Sequence, residues 1–405
     1  MRISDGGAGG RDPKLAELYA RIGTLFARSE SRARAADYVE GLLSGVARKN
    51  SWQVAAHAGH VSPDGIQWLL TRAPWSADAL RDLTRDYVAE NLGDDRAVVV
   101  LDHIAFPKRG DKSVGVARQR TGQGKRMTNC QLAIVAYYVS RRGIAIIDRE
   151  LYLPPQWIEA PERRRAAGVS DRVDHATRSE LAAAMLARVG AAGLPLAAVA
   201  AGWSGRGAPV REYCARHHVP YAEEITPQYP VLDSPGGRPL QAGNLARLIP
   251  ASSFEAGQGD SDEATATLRL GSGSPDGTAT SLLVRRAGTS AGNRYFLCHA
   301  PPATAAATLL SAVNALPTVR RHIADARVEV GLDHYEVRKW EPWYRHISLS
   351  LLAMAYLAVT RAGPDPARTA ADADAADTRL PVQRTEETPP SQWRPAPLTT
   401  KPSHQ

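Results

Sequence analysis

The sequence predicts an α/β protein whose central sheet is mixed and flanked by helices. Three short apolar runs come first, at 97–102, 132–139 and 144–153, and turn-like segments separate them. A helix–strand–helix–strand pattern follows between residues 177 and 225. Short apolar runs bounded by turn residues are typical of buried strands, and apolar residues at 3–4 spacing are typical of helices. Hairpin-connected strands followed by two helix–strand units predict an RNase H-like mixed sheet.

Composition and periodicity divide the chain into six segments. The two ends, 1–12 and 362–405, lack periodic apolar residues, and we expect both to be disordered. Between them the predicted order is an N-terminal helical domain at 13–93, the first part of the RNase H-like core at 94–225, a β-rich insertion at 226–300 and the C-terminal helices of the core at 301–361. Pro317 is expected to break or kink the first of these C-terminal helices, because proline has no amide to donate.

The helices predicted in 13–93 are short, and a glycine-containing turn joins two of them. This pattern is compatible with helix-turn-helix packing on DNA. Lys49, Gln67 and Arg72 would then be available to contact phosphates. A plain helical bundle fits the same pattern equally well, so DNA binding by this segment is one of two interpretations.

The composition is that of an ordinary globular protein, with 43% hydrophobic and 23% charged residues among 405. A net charge of +8 favours an acidic partner such as nucleic acid. Cys130, Cys214 and Cys298 are isolated, which indicates reduced thiols in a cytoplasmic protein and not a disulfide framework or a zinc site. No apolar run reaches the roughly 18 residues needed to span a membrane, so no membrane partner is expected.

The stretch 98–120 carries the strongest candidate site. The apolar run Val98–Leu101 ends on Asp102, and a basic segment follows. A carboxylate at the carboxyl end of a buried strand lies where α/β sheets usually place their chemistry, so Asp102 is predicted to bind a metal beside nucleic acid. An Asp that merely ends an edge strand would give the same pattern. The predicted phosphate contacts are Lys108, Arg109, Lys112, Arg118, Arg120, Lys125 and Arg126, for which a solvated basic loop is the alternative.

Several motifs, taken in order along the chain, resemble bacterial insertion-sequence transposases of the DDE superfamily. The resemblance is strongest at Asp102–Arg120 and extends over roughly residues 20–361. Further matching segments are Asn129–Gln131, Asp148–Pro154, Tyr295–Pro301, Gly331–Arg338 and Trp343–His346. Their common order is far more specific than any single motif.

The resemblance implies metal-dependent chemistry on DNA. In that superfamily three carboxylates hold two Mg²⁺ ions about 4 Å apart, and the ions activate water or a 3′-hydroxyl for phosphodiester transfer. One Asp lies on the first strand, a second at the end of the fourth, and a Glu lies on a later C-terminal helix. Mg²⁺ requires hard oxygen ligands, so an apolar or cationic side chain cannot replace any of the three.

Only one of these three positions carries a carboxylate in this chain. Asp102 matches the first position, whereas Ala201 and Arg320 fall on the other two. No Asp or Glu occurs between Glu180 and Glu212, so a small shift of the alignment does not supply the second carboxylate. Asp102 would therefore hold at most one loosely bound Mg²⁺, and no tightly bound cofactor is expected.

These observations favour a transposase-family DNA-binding protein that has lost catalytic activity. Two alternatives stay open: an active DDE transposase that performs metal-dependent cleavage and strand transfer, and the product of a decaying insertion sequence. DNA is the expected partner, and no small-molecule substrate is expected. A homodimer is implied only by the family resemblance. The expected location is the cytoplasm, at the nucleoid if the protein binds DNA.

Overall fold

The computed structural model describes residues 12–121, 127–203, 207–232, 237–256, 264–270, 278–286 and 292–363. The disorder predicted for the two ends of the chain falls almost wholly outside these residues. Lys125 and Arg126, two of the predicted phosphate contacts, also lie outside the described residues.

The N-terminal segment is helical, as predicted. Its described helices are α1 Pro13–Gly23, α2 Ser29–Leu43, α3 Ser51–His57, α4 Asp64–Thr71 and α5 Ala77–Leu92. The side chains of Asp12, Asn50 and Ser76 each accept a hydrogen bond from a first-turn amide of α1, α3 and α5, respectively. These caps satisfy amides that have no partner within their own helix.

The core sheet has the RNase H-like arrangement that the sequence predicts. Its strands are β1 Val98–Pro107, β2 Ala117–Arg120, β3 Met127–Val139, β4 Ile144–Leu151, β5 Ala198–Ala201 and β6 Tyr221–Ile225. β3 pairs antiparallel with β1 and β4 antiparallel with β3, whereas β5 is parallel to β1 and β6 is parallel to β5. The core order is therefore β4-β3-β1-β5-β6, and the short strand β2, which the sequence did not predict, pairs with the start of β3.

Helices lie on both faces of this sheet. The connection from β4 to β6 contains α6 Pro155–Ile158, α7 Pro161–Ala166, α8 Arg178–Ala191 and α9 Ala208–Arg216. Thr177 and Glu180 form a reciprocal cap at the start of α8, where each side chain accepts a hydrogen bond from the backbone amide of the other. Met185 and Val189 of α8 are fully buried, and α8 contacts β3 and β4.

The β-rich segment predicted at 226–300 extends the core sheet beyond β6. Its elements are β7 Pro230–Leu232, β8 Pro239–Gln241, α10 Ala242–Arg247, β9 Glu255–Ala256, β10 Ala264–Arg269, β11 Ala279–Arg286 and β12 Arg294–Ala300. β12 pairs antiparallel with β6, and β11, β10 and β9 follow in order. β7 and β8 form a separate two-stranded sheet.

The helix α11, Ala306–Glu329, runs without interruption through Pro317, so the predicted break is wrong. An interior proline costs about 3 kcal/mol, whereas burying one large aliphatic side chain contributes about 1.5–3 kcal/mol. Val313, Leu316 and Val319 flank Pro317 and are buried, and α11 packs on β1, β5 and β6. Packing on both sides of the proline therefore outweighs its cost.

The last described helix, α12 Trp340–Ala362, is buried along most of its length. It contacts β4 together with α2, α4 and α5, so it joins the N-terminal helices to the edge of the sheet. Trp343, Leu349 and Leu352 of this helix are fully buried. No described helix, α12 included, combines the length and the apolar character that crossing a membrane requires.

Candidate active site

Asp102 lies in the middle of β1, which is a central strand of the sheet. The prediction that the strand ends at Asp102 is wrong, because β3 continues to pair with β1 as far as Pro107. The edge-strand alternative also fails, since β1 lies between β3 and β5. Asp102 is 7% exposed, and its Oδ1 accepts a hydrogen bond of 2.8 Å from the amide of His103. The position is buried and central, as a sheet-borne active site requires.

The position beside Asp102 is held by Gly202, the residue that directly follows β5. Ala201 pairs with Leu101, so its side chain lies on the face opposite to Asp102. The amide of Gly202 donates to the carbonyl of Leu101 at 2.9 Å, which continues the parallel pairing by one residue. A Cβ at Gly202 would lie 2.6 Å from Oδ2 of Asp102. Neither Ala201 nor Gly202 can offer a carboxylate here, and Asp102 itself fills the space next to Gly202.

Arg320 projects from α11 and joins two carboxylates. Its Nε lies 3.6 Å from Oδ2 of Asp102, and its Nη2 donates to Oε2 of Glu224 at 2.7 Å. The same Nη2 lies 3.1 Å from the carbonyl oxygen of Gly202. A guanidinium is a planar array of donors with no acceptor. One cationic side chain thus ties together β1, the end of β5 and β6.

Glu224 completes this cluster, and sequence reasoning did not select it. Ala201 pairs with Glu223, so Gly202 and Glu224, the next residues along the chain, are also neighbours. Glu224 therefore lies on the face of the sheet that packs against α11. It is only 2% exposed, and its Oε1 accepts a hydrogen bond of 2.8 Å from Nε of Arg294 on β12. The available signal was the pair Glu223–Glu224 inside a strand, since buried carboxylates are rare unless they are paired.

The charges of Asp102, Glu224, Arg320 and Arg294 balance. Burial alone would raise the pKa of Glu224, but the hydrogen bond from Arg294 and the charge of Arg320 outweigh it and lower that pKa. Burial would lower the pKa of Arg320, but Glu224 and Asp102 together raise it. Both members of the Glu224–Arg320 pair are therefore held in their charged forms.

This set of side chains does not fit the two Mg²⁺ ions that the family resemblance implies. Across the described part of the chain, no group of three or more His, Cys, Asp or Glu side chains could hold a metal ion. The two carboxylates of this cluster already share Arg320, whose positive charge would repel a divalent cation. A guanidinium stands between the two carboxylates.

A family model described as a DDE superfamily endonuclease matches residues 18–236. The match spans more than half of the chain and includes Asp102, Gly202 and Glu224. The chain belongs to the DDE endonuclease superfamily. The resemblance to insertion-sequence transposases of that superfamily is confirmed. Arg294 and Arg320 lie beyond the matched residues.

One curated relative is a probable transposase for insertion sequence element IS701 from Microchaete diplosiphon, with 26% identity over 125 residues. The aligned residues make up 31% of this chain and 33% of that relative. Among solved structures, the NurA nuclease from Sulfolobus solfataricus has 8% identity and a TM-score of 0.25, covering 62% of this chain and 92% of that one. The Mos1 strand transfer complex has 15% identity and a TM-score of 0.16, covering 56% and 62%.

The basic residues that follow β1 in this DDE-superfamily protein form an exposed surface, which we call the β1–β2 patch. It consists of Arg109, Lys112, Arg118 and Arg120, all of them exposed. Asn129 holds the two parts of the patch together, because its amide donates to the carbonyls of Lys108 and Gly110 while its backbone pairs with Arg118. Arg118 and Arg120 alternate with buried Ala117 and Gln119, so both lie on one face of β2.

Lys108 differs from the other predicted phosphate contacts. Its Nζ lies 3.7 Å from the centre of the Tyr335 ring, in a cation–π contact. Burial lowers the pKa of Lys108 to about 8, against a smaller opposing effect of Asp333. Lys108 is thus partly buried against the C-terminal part of the chain, with less of its charge in solvent than its neighbours.

The structure contradicts the proposed phosphate contact of Lys49. Lys49 is only 3% exposed, and its Nζ donates to the carbonyl oxygens of Leu42, Ser44 and Glu329. Two of these carbonyls lie at the C-terminal ends of α2 and α11, where a cation complements the helix dipole. Lys49 therefore joins two helices, whereas Gln67 and Arg72 are exposed as predicted.

Proposed function

We propose that this DDE-superfamily protein binds DNA without cutting it. The observation that carries the proposal is the position of Arg320, which bridges Asp102 and Glu224 at 3.6 and 2.7 Å. In the superfamily's chemistry, acidic oxygens at this position of the sheet hold the divalent ions that activate the attacking oxygen. A guanidinium supplies no oxygen ligand and already neutralises the carboxylates. The chain thus lacks the oxygen ligands that would bind the two metal ions.

The DNA-binding part of the proposal rests on the β1–β2 patch. Its four cations are exposed, and they follow β1 in the chain, beyond the carboxyl-terminal end of the strand whose middle carries Asp102. Arginine and lysine side chains contact phosphates and position a duplex without reading its sequence. The proposed partner is DNA, bound through its backbone. A protein of this kind would work in the cytoplasm, on the nucleoid.

A cleavage assay tests the loss of chemistry. Wild-type protein is incubated with DNA that carries the ends of the element, in Mg²⁺ or in Mn²⁺, and nicks and strand-transfer products are resolved on a denaturing gel. We expect no product in either metal. Metal-dependent nicking that disappears in Asp102→Ala would overturn the proposal in favour of an active transposase.

A salt titration tests the DNA contact. Replacing Arg118 and Arg120 together by Ala should weaken duplex binding about tenfold at low salt and reduce the slope of log K against log salt by about 2. Arg96→Ala is the matched control, since Arg96 is exposed near the opposite end of β1, about 30 Å away at 3.3 Å per residue. Wild-type protein that fails to bind duplex DNA at low salt would favour a decaying element product.

A further inference from the structure

A groove in the N-terminal helices combines positive charge with an exposed aromatic ring. It lies between the start of α2 and α4 and has a volume of about 730 Å³, within the range of small-ligand sites. Its lining residues are Ala27, Arg28, Ser29, Glu30, Ser31, Arg32, Arg34, Gly65, Trp68 and Leu69. None of them belongs to the β1–β2 patch or to the Asp102 cluster. The groove is therefore a separate feature of the surface.

One end of the groove suits a phosphate. Arg28 and Arg32 are exposed, and across the described part of the chain neither forms an ion pair. The 15-residue helix α2 begins here, and Arg28 at its N-cap provides no side-chain cap, so the first-turn amides of α2 have no side-chain acceptor. Ser31 lines the groove at only 9% exposure, and its hydroxyl forms no hydrogen bond with another described residue.

The remaining charges in the groove are already engaged or opposed. Arg34 donates to Asp37 at 3.3 Å and contacts His60, so its guanidinium is committed to the protein. Glu30 lines the groove and brings one negative charge into it. The two positive charges of Arg28 and Arg32 exceed the one negative charge of Glu30, so this end of the groove carries a net positive charge.

The other end of the groove suits a nucleobase. Trp68 is 46% exposed although it is a large aromatic residue, and it borders the groove. The guanidinium of Arg72 lies 5.8 Å from the centre of the Trp68 ring, in a loose cation–π contact that supports the ring. An exposed indole face stacks on any base that has left its duplex, whereas a paired base hides its faces between its neighbours.

We infer that this groove binds an unpaired nucleotide of a DNA strand. The base stacks on Trp68, and a backbone phosphate binds Arg28, Arg32, the hydroxyl of Ser31 and the first-turn amides of α2. The inference rests on the proposed DNA-binding function and adds a preference for single-stranded DNA at this surface. The β1–β2 patch and the groove then engage different forms of the same partner.

The test uses fluorescence anisotropy with the full chain and two labelled probes. One probe is a single-stranded oligothymidine of about 12 nucleotides, within the site sizes of single-strand binding folds, and the other is a duplex of the same length. Trp68→Ala should weaken binding of the single strand about tenfold and leave binding of the duplex unchanged. Glu30→Gln should strengthen binding of the single strand two- to threefold, because it removes the opposing charge.

Trp52→Ala is the matched control, since Trp52 is 62% exposed and does not line the groove. It should bind the single strand as wild-type protein does, and circular dichroism should show that both tryptophan variants keep their helices. Single-strand binding that is unaffected by Trp68→Ala, or reduced equally by Trp52→Ala, would overturn the inference. If duplex binding still depends on Arg118 and Arg120 in that case, the proposed function stands and only the groove assignment falls.

Discussion

Two clusters of carboxylates and arginines lie on the sheet, one around Asp148 and one around Asp102. Asp148 on β4 is completely buried, and Arg188 of α8 donates to both of its oxygens at 2.8 and 3.0 Å. Arg81 and Arg85 of α5 approach the same carboxylate at 3.9 Å. The cluster thus joins helices α5 and α8 to the edge of the sheet.

The cluster around Asp102 is more open. Arg320 is 38% exposed and approaches Asp102 only at 3.6 Å, whereas Glu224 is held from both sides by Arg320 and Arg294. The cluster around Asp102 lies beneath α11 at the end of β5, whereas Asp148 lies beneath packed helices.

The difference shows that carboxylate–arginine pairs can have two roles in the same protein. A fully buried carboxylate requires every one of its cations, because desolvation leaves no alternative partner. A partly solvated pair is weaker, since water and salt can replace either member. We therefore expect the Asp148 cluster to maintain the fold, and the Asp102 cluster to control which cation lies at the candidate active site.

Asp148→Asn should have the largest effect on stability. The substitution keeps the shape of the side chain but leaves Arg81, Arg85 and Arg188 without their shared buried carboxylate, at a cost of about 3–5 kcal/mol. Urea unfolding followed by circular dichroism measures the loss. Asp95→Asn is the control, because Asp95 is 85% exposed and lies 3.8 Å from Arg141 in solvent. Equal stabilities of the two variants would remove the distinction between a structural and an open cluster.

The local sequence pattern predicted much of the fold but few of the ion pairs in these clusters. The β3–β4 hairpin, α8 and β6 follow from periodicity and turn residues within a few positions of one another. By contrast, the carboxylate of Asp148 is held by Arg188, which lies 40 residues later in the chain. Partners brought together by sheet and helix packing leave no signal in the spacing of a single sequence.

The candidate site shows the same limit. Asp102 was found because it interrupts an apolar run, and Arg320 because family motifs fix its position relative to Gly331–Arg338. Glu224 was missed because its partner Arg320 is 96 residues away. That separation also explains why the resemblance points to Arg320 itself but not to the ion pairs that Arg320 forms with Asp102 and Glu224.

Arg320→Ala should have an intermediate effect. Because Arg320 is more than a third exposed, its loss should cost about 1–2 kcal/mol, between the values for exposed and buried ion pairs. Asp102 and Glu224 would then lack their shared cation, so Mg²⁺ should stabilise the variant and raise its unfolding midpoint. Differential scanning fluorimetry with and without Mg²⁺ measures both effects.

Arg321→Ala provides the control on the same helix, because Arg321 is the neighbouring exposed arginine. We expect neither wild-type protein nor this control to respond to Mg²⁺ beyond a general salt effect, which KCl at equal ionic strength reveals. A Mg²⁺-dependent midpoint in wild-type protein would show that Arg320 does not keep a divalent cation away, and the contrast with the Asp148 cluster would lose its meaning.

The smallest effect should appear in the dependence of stability on pH, where Glu223 and Glu224 should differ in sign. The pKa of Glu224 is lowered in the folded state from 4.5, so its contribution to stability is present above pH 4.5 and is lost as the pH falls through the lowered value. The pKa of Glu223 is raised from 4.5, chiefly by burial, so stability is lost as the pH rises from 4.5 through the raised value.

Urea unfolding of Glu224→Gln, Glu223→Gln and wild-type protein between about pH 3 and pH 7 isolates the two contributions, since all other groups cancel in the differences. The stability of wild-type protein relative to Glu224→Gln should fall below pH 4.5, because protonation ends the ion pairs with Arg294 and Arg320. Relative to Glu223→Gln, it should rise as the pH falls toward 4.5. If the two stability differences change with pH in the same direction, Arg320 and Arg294 do not compensate for the burial of Glu224. Glu224 would then behave as a buried carboxylate without ion pairs.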